Sequence, residues 1–90
     1  MKDLGKKHIH FIGIAGMGMS AIARILLERG YSISGSDLRS TELTENLERM
    51  GATIYLGHAP EHLNGADIVV YSSAVPRDNP EIRRAEEANI

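Results

Sequence analysis

Between positions 8 and 23 the sequence reads HIHFIGIAGMGMSAIA, in which an apolar stretch leads through clustered glycines into a second apolar stretch. Gly13, Gly16 and Gly18 allow the backbone to turn tightly and to approach a ligand without a Cβ in the way. A helix that begins directly after them offers unpaired N–H groups and the positive end of its dipole to an anion. The segment therefore predicts a loop that binds nucleotide phosphates. We expect the side chains of Met17 and Met19, within this loop, to contact the core.

A carboxylate lies at a suitable distance downstream of this loop. Asp37 follows the stretch GYSISGS and comes 19 residues after Gly18, close to the spacing of about 20 residues at which such a carboxylate accepts ribose hydroxyls. The run from Gly16 to Ala21 also fits the fingerprint G-x-G-x-x-G/A. A carboxylate there suits the ribose of NAD, FAD or UDP, or a base N–H, and disfavours a 2′-phosphate. The glycines would equally suit tight helix–sheet packing without any ligand.

The elements that must position these residues alternate along the chain. Strands are predicted over 8–14, 31–36, 52–56 and 68–71. Helices are predicted over 17–29, from a cap at Thr41 to Gly51, and from Asn79 onward, with a loop or one short helical turn over 57–65. The alternation predicts an α/β, Rossmann-like three-layer fold with a parallel sheet in the order 3-2-1-4. Because such folds normally add a strand after this helix, we interpret positions 1–90 as one domain of a longer protein, truncated before that strand.

The composition restricts the class of protein. Ninety residues form one small domain, and a net charge of −2 gives no electrostatic footprint for nucleic acid. The chain has no cysteine, so disulfides, thiolate metal sites and cysteine nucleophiles are excluded. No apolar run reaches the roughly 20 residues of a membrane span, and no signal peptide is recognisable. We therefore expect a cytoplasmic domain with no membrane or nucleic-acid partner.

The four histidines offer a weaker signal. His8 and His10 alternate with apolar residues at the start of the first strand, which favours surface histidines over a metal pair. His58 and His62 are four residues apart, but Pro60 between them disfavours the regular helix that a zinc pair would need. We predict no metal site and no catalytic residue within the chain.

Four motifs occur in order between positions 8 and 90, namely GIAGMGMSAIA, GYSISGSD, GATIYLGH and VVYSSAVPRDNPEI. Together they resemble the N-terminal domain of the Mur ligases, ATP-dependent amide-forming enzymes of peptidoglycan biosynthesis. The SGSD and SSAV elements distinguish the chain from a generic dehydrogenase. The resemblance is strongest to the member that joins L-alanine to the lactyl carboxylate of UDP-N-acetylmuramate. The sister enzyme that recycles murein tripeptide is the nearest relative with which it could be confused.

The resemblance implies that this domain holds the UDP part of the substrate. The implied contacts fall into three groups. The first set of residues, at the glycine loop, contacts the diphosphate. The second set, after the second and third strands, contacts the uridine, and the third set, after the fourth strand, closes the other side of the nucleotide. In that order they are Gly16, Met17, Gly18, Met19 and Ser20; Ser36, Asp37, Leu38, Arg39 and His58; and Ser72, Ser73 and Ala74.

The family's ATP-binding loop, G-x-x-G-K-T/S, is absent from the sequence. The resemblance therefore implies that the sites for ATP, Mg²⁺ and L-alanine lie beyond position 90, and that these residues alone are inactive. Two alternatives stay open. The chain could be an NAD-binding domain of an oxidoreductase or regulatory module, or a structural fragment that binds nothing. Binding of a uridine nucleotide but not of NAD would separate them.

Overall fold

The computed structural model describes residues 7–90, and its elements alternate as the sequence predicts, with shifts of one or two residues at their ends. The first strand ends before Gly13, whose φ of +85° turns the chain out of the extended conformation. A short 3-10 helix occupies the predicted loop or turn. In chain order the elements are β1 (His8–Ile12), α1 (Met17–Glu28), β2 (Ser32–Asp37), α2 (Glu42–Arg49), β3 (Thr53–Leu56), the 3-10 helix (Pro60–Leu63), β4 (Ile68–Tyr71) and α3 (Pro80–Ala88).

The four strands form one parallel sheet in the order β3-β2-β1-β4, which confirms the predicted topology. Ile9 of β1 lies opposite Ile33 of β2 on one side and Ile68 of β4 on the other. The carboxyl ends of parallel strands meet at one edge of a sheet, and the strand order reverses beside β1. The loops that follow the strands therefore converge at the edge where ligands bind in open α/β sheets.

One face of the sheet is apolar. Successive strand residues point to opposite faces, and Ile9, Phe11 and Ile33 share the same one. They pack with Ala23 of α1 and Leu47 of α2 in a buried cluster. Burial of this surface is the main favourable contribution to folding that the described residues provide.

The opposite face of the sheet is polar and yet buried. His10, Ser34 and Ser36 lie on it, and each is at most 2% exposed. The prediction of a surface histidine at position 10 is therefore wrong, whereas His8 is partly exposed. The physical reason is that α3 crosses this face and carries Glu81, which bonds to the His10 ring.

Capping fixes where the second and third helices begin. Thr41 and Thr44 form a capping box at the start of α2, as the predicted cap at Thr41 requires. At α3, the Asn79 side chain accepts a hydrogen bond of 2.8 Å from the Glu81 N–H, and Pro80 occupies the first turn. The cap therefore fixes the backbone of Glu81 beside the polar face. Within residues 7–90 no helix is long and apolar enough to cross a membrane.

A close approach between Gly35 and Ile14 holds the loop after β1 against β2. A Cβ added to Gly35 would lie 2.7 Å from the Cβ of Ile14, too close for any side chain to be accommodated without movement. Ile14 is fully buried and belongs to the apolar cluster. The absence of a side chain at position 35 is therefore what lets Ile14 seat the loop.

We expect Gly35→Ala to lower the free energy of unfolding by about 1–3 kcal/mol, the usual cost of overpacking a core. Gly18→Ala is the matched control, because a Cβ at Gly18 has no atom within 4 Å and lies in helix α1. Urea denaturation of both variants checks the prediction. Equal stability of Gly35→Ala and the wild type would show that the contact with Ile14 does not restrict the loop.

Candidate functional site

The loop between β1 and α1 is held in place by the neighbouring strand. The N–H groups of Gly13 and Ile14 both donate to the carbonyl oxygen of Ser36, at 2.8 and 3.1 Å. The N–H of Gly16 donates to the carbonyl oxygen of Gly13 at 3.1 Å and closes the turn. Backbone hydrogen bonds from β2 therefore help to set the position of the glycine loop.

The first turn of α1 presents N–H groups without intrahelical acceptors, those of Met17, Gly18 and Met19. Gly16 caps this helix without a side-chain hydrogen bond, and no acidic residue lies in the first turn. A Cβ on Gly18 would meet no atom within 4 Å, so the space beside these groups is open. The positive end of the helix dipole is accessible to an anion here.

The two methionines of this turn have different environments. Met19 is partly buried and packs against the apolar cluster, as predicted. Met17 is 78% exposed, so the prediction that its side chain contacts the core is wrong. Residues two apart lie on nearly opposite sides of a helix, and only one of the pair can face the sheet.

Asp37 connects the end of β2 to the glycine loop. Its Oδ2 accepts a hydrogen bond of 2.9 Å from the Ala15 N–H, and its Oδ1 accepts from the N–H groups of Leu38 and Arg39 at 2.8 and 3.3 Å. The carboxylate is partly exposed. Each carboxylate oxygen accepts about two hydrogen bonds, so the group retains capacity for a ligand hydroxyl while it orients the loop.

Two of the serines predicted to contact UDP are buried, and their hydroxyl protons are bonded within the protein. Ser20 is buried, and its hydroxyl donates to the carbonyl oxygen of Met17 at 3.1 Å, within its own helix. Ser36 is fully buried, and its hydroxyl donates to Glu81 Oε1 at 2.7 Å. Sequence spacing locates a serine at an edge but does not show which acceptor takes its only proton.

The remaining predicted residues follow the carboxyl ends of the other strands. Leu38 is 72% exposed beside Asp37, and Arg39 is also exposed. The predicted trio 72–74 after β4 is exposed in a turn in which the Ala74 N–H donates to the Ser72 hydroxyl at 3.3 Å. The structure therefore brings the glycine loop, the Asp37 segment and these residues to the same edge of the sheet.

Behind this edge, four donors converge on the buried carboxylate of Glu81. Oε1 accepts from His10 Nε2 and the Ser36 hydroxyl, both at 2.7 Å. Oε2 accepts from the Ala59 N–H at 3.0 Å and from His62 Nδ1 at 2.7 Å. Despite this concentration of histidines, residues 7–90 contain no group of three His, Cys, Asp or Glu side chains with the geometry of a metal site.

Hydrogen bonding keeps Glu81 ionised although the side chain is fully buried. Burial by itself raises the pKa of the carboxyl group, but the hydrogen bonds from His10, Ser36, His62 and the Ala59 N–H outweigh it and lower the pKa to about 2. At neutral pH the group is a carboxylate and accepts at every contact. It therefore dictates which partner atoms carry protons.

The hydrogen bonds continue along the sheet to His8. Ser34 lies 2.7 Å from His10 Nδ1 and 2.8 Å from His8 Nε2, and Ser32 lies 2.7 Å from His8 Nδ1. Burial and the neighbouring His10 lower the pKa of the His8 ring, against an opposing contribution from Asp67. A neutral His8 ring, which donates through one nitrogen and accepts through the other, is compatible with this chain of contacts.

Sequence reasoning did not single out Glu81, which the structure makes the centre of the polar face. A signal was present in the alternation of HIH in β1 and SISGS in β2. Three-layer α/β folds cover both sheet faces, so the polar members of these strands had to be buried against a partner. The helical period of α3 places Glu81 on the same side as the buried Ile82 and Ala85, but it does not show which donors meet the carboxylate.

The fold and the open helix N-terminus at the carboxyl edge place the chain in the class of Rossmann-like α/β domains. The model of the Mur ligase family, catalytic domain, matches residues 8–90. The chain belongs to the Mur ligase family.

Individual relatives agree with this assignment. UDP-N-acetylmuramate–L-alanine ligase of Persephonella marina is 55% identical over 84 residues, which cover 93% of this chain and 18% of that protein. The crystal structure of UDP-N-acetylmuramate-alanine ligase from Thermotoga maritima superposes with a TM-score of 0.87 and 38% identity, covering 92% of this chain and 19% of the other. The crystal structure of a murein peptide ligase from Psychrobacter arcticus superposes with a TM-score of 0.86 and 31% sequence identity. This match covers 93% of this chain and 18% of the other. The chain thus spans about a fifth of the length of these relatives.

The Glu81 network makes the stability of the domain depend on pH. Because the folded pKa of Glu81 is about 2, below the ordinary value of 4.5, its contribution is fully present above about pH 4.5 and is lost as the pH falls towards about 2. We expect wild-type stability to drop over this window by an amount on the order of 3 kcal/mol that Glu81→Gln does not show.

Urea denaturation at a series of pH values across that window measures the difference between the two proteins. Glu87→Gln, an exposed acid on the same helix, is the matched control and should follow the wild type. Parallel pH profiles for Glu81→Gln and the wild type would contradict the assignment of an ionised, hydrogen-bonded carboxylate.

Proposed function

We propose that the carboxyl edge of the sheet binds the UDP moiety of UDP-N-acetylmuramate. The observation that carries this proposal is the pairing of the open α1 N-terminus with Asp37, which is hydrogen-bonded to the same loop. A nucleoside diphosphate presents an anion and ribose hydroxyls next to each other, and the edge offers an anion site next to a carboxylate. The relatives described above, which are named UDP-N-acetylmuramate–L-alanine ligases, support a uridine diphosphate sugar as the ligand.

Each segment has a distinct role in this proposal. The backbone N–H groups from Gly16 to Met19 bind the diphosphate, where the helix dipole favours negative charge. Asp37 accepts hydrogen bonds from the ribose or the base, and its neighbours Leu38 and Arg39 lie along the uridine. His58 lies beside the proposed position of the uridine, and residues 72–74 close the other side of the nucleotide. Ser20 and Ser36 support the site from behind, since their hydroxyl protons are bonded within the protein.

The chemistry of the whole ligase is a proposal that extends beyond this chain. ATP phosphorylates the lactyl carboxylate of UDP-N-acetylmuramate, and the amine of L-alanine displaces phosphate from the acyl phosphate to form the amide. We place the sites for ATP, Mg²⁺ and L-alanine on other parts of a longer cytoplasmic protein, because the G-x-x-G-K-T/S loop is absent from this sequence. This domain then converts binding energy at the UDP group into positioning of a distant carboxylate.

Gly18→Val tests the role of the loop. A Cβ at this position meets no protein atom, so we expect the variant to fold normally while its side chain occupies the approach of the diphosphate. Calorimetric titration of the wild type should give a UDP dissociation constant on the order of 0.1–1 mM, with no detectable binding to the variant.

Arg24→Val is the matched control for this substitution. It introduces the same side chain at an exposed position of α1, two turns away from the loop, and should bind UDP as the wild type does. Wild-type affinity in Gly18→Val would rule out phosphate binding by the loop. Tighter wild-type binding of NAD than of UDP would instead favour the dinucleotide alternative.

A further inference from the structure

The Glu81 carboxylate fixes the direction of the hydrogen bonds that reach the ligand edge. A carboxylate has no proton to give, so the Ser36 hydroxyl must donate its only proton to Oε1 at 2.7 Å. The Ser36 oxygen also lies 2.8 Å from His58 Nδ1. With its proton already committed, this oxygen accepts there. Nδ1 of His58 must therefore carry a proton.

The other nitrogen of the His58 ring is then determined. A neutral imidazole has one N–H, so Nε2 is left with a lone pair and acts as an acceptor. Among the described residues Nε2 has no hydrogen-bond partner, and no buried side-chain nitrogen or oxygen lacks one. Nε2 therefore reaches the surface of the protein, in agreement with the 16% exposure of the His58 side chain.

His58 lies at the edge where the proposed function places the uridine. It follows β3, whose Leu56 pairs in register with Asp37 at the end of β2. The Gly57 N–H donates to the Asp37 carbonyl oxygen at 2.7 Å, which holds the two strand ends together. The His58 ring does not form a direct hydrogen bond with Glu81, because its Nδ1 lies 3.7 Å from Glu81 Oε2. The connection runs through Ser36.

We propose that Ser36 and Glu81 are positioning residues that hold His58 in the Nδ1–H tautomer, so that Nε2 accepts a hydrogen bond from the ring N–H of a bound pyrimidine base. The inference rests on the proposed function, since it assumes a nucleotide at this edge. The class of base that fits carries an imide N–H, as uracil does. Cytosine presents a lone pair at the same ring position and would leave two acceptors facing each other.

The tautomer is tested first without any ligand. We would record ¹⁵N–¹H NMR spectra of histidine ring nitrogens at about pH 8, above the ordinary titration range of imidazole. The wild type should show His58 protonated on Nδ1, and Ser36→Ala should shift it towards the Nε2–H form that free imidazole side chains favour. Ser32→Ala is the matched control, because Ser32 lies on the same face of β2 but bonds to His8. Protonation on Nε2 in the wild type, or no change in Ser36→Ala, would overturn the inference.

The base preference is tested by titration with UDP and CDP. The wild type should bind UDP at least about fivefold more tightly, the low end of the cost of an unsatisfied polar group. The preference should disappear in Ser36→Ala. It should also disappear in His58→Asn, whose amide retains an N–H near the Nδ1 position and lacks Nε2. Backbone amide spectra of each variant report whether it is folded.

The two proposals fail in different ways. Absence of UDP binding to the wild type would overturn the proposed function and the base preference with it. Binding of UDP without a preference over CDP, or a preference that both variants retain, would overturn the present inference and leave the proposed function standing.

Discussion

The buried carboxylate of Glu81 is the interaction on which the polar half of this domain depends. An ionised group removed from water is costly unless hydrogen bonds replace its hydration, and here four donors do so. They come from β1, β2, the loop before the 3-10 helix and the 3-10 helix itself, while the carboxylate comes from α3. One group thus joins segments far apart in sequence, and loss of any one donor leaves the buried carboxylate less well satisfied.

The two faces of the sheet contribute to the structure in different ways. The apolar face, which α1 and α2 cover, provides the burial that favours folding, whereas the polar face provides hydrogen bonds of defined direction. Both end at the carboxyl edge. On the apolar face, the contact between Ile14 and Gly35 positions the glycine loop. On the polar face, the hydrogen bond between Ser36 and His58 positions the His58 ring. The edge is therefore organised before a ligand arrives, which reduces the cost of ordering it on binding.

The sequence predicted the strand–helix alternation, the sheet order and the position of the glycine loop, because each depends on local periodicity or on glycine and cap residues. It misassigned His10, whose burial depends on α3 crossing the sheet from more than 70 positions away. It also did not identify the acceptor of the Ser36 proton. Such features depend on tertiary contacts between polar residues. The helical period places Glu81 on the buried side of α3 but does not identify the donors that the carboxylate meets there.

We propose above all that this edge of the sheet is a site for a uridine diphosphate. The most direct test is an amide NMR titration of the chain with UDP, repeated with NAD. We expect UDP to shift the resonances of Gly16, Gly18, Asp37 and Ser73 and NAD to leave them unchanged. Equal or larger shifts with NAD, or no shifts with either nucleotide, would contradict the claim.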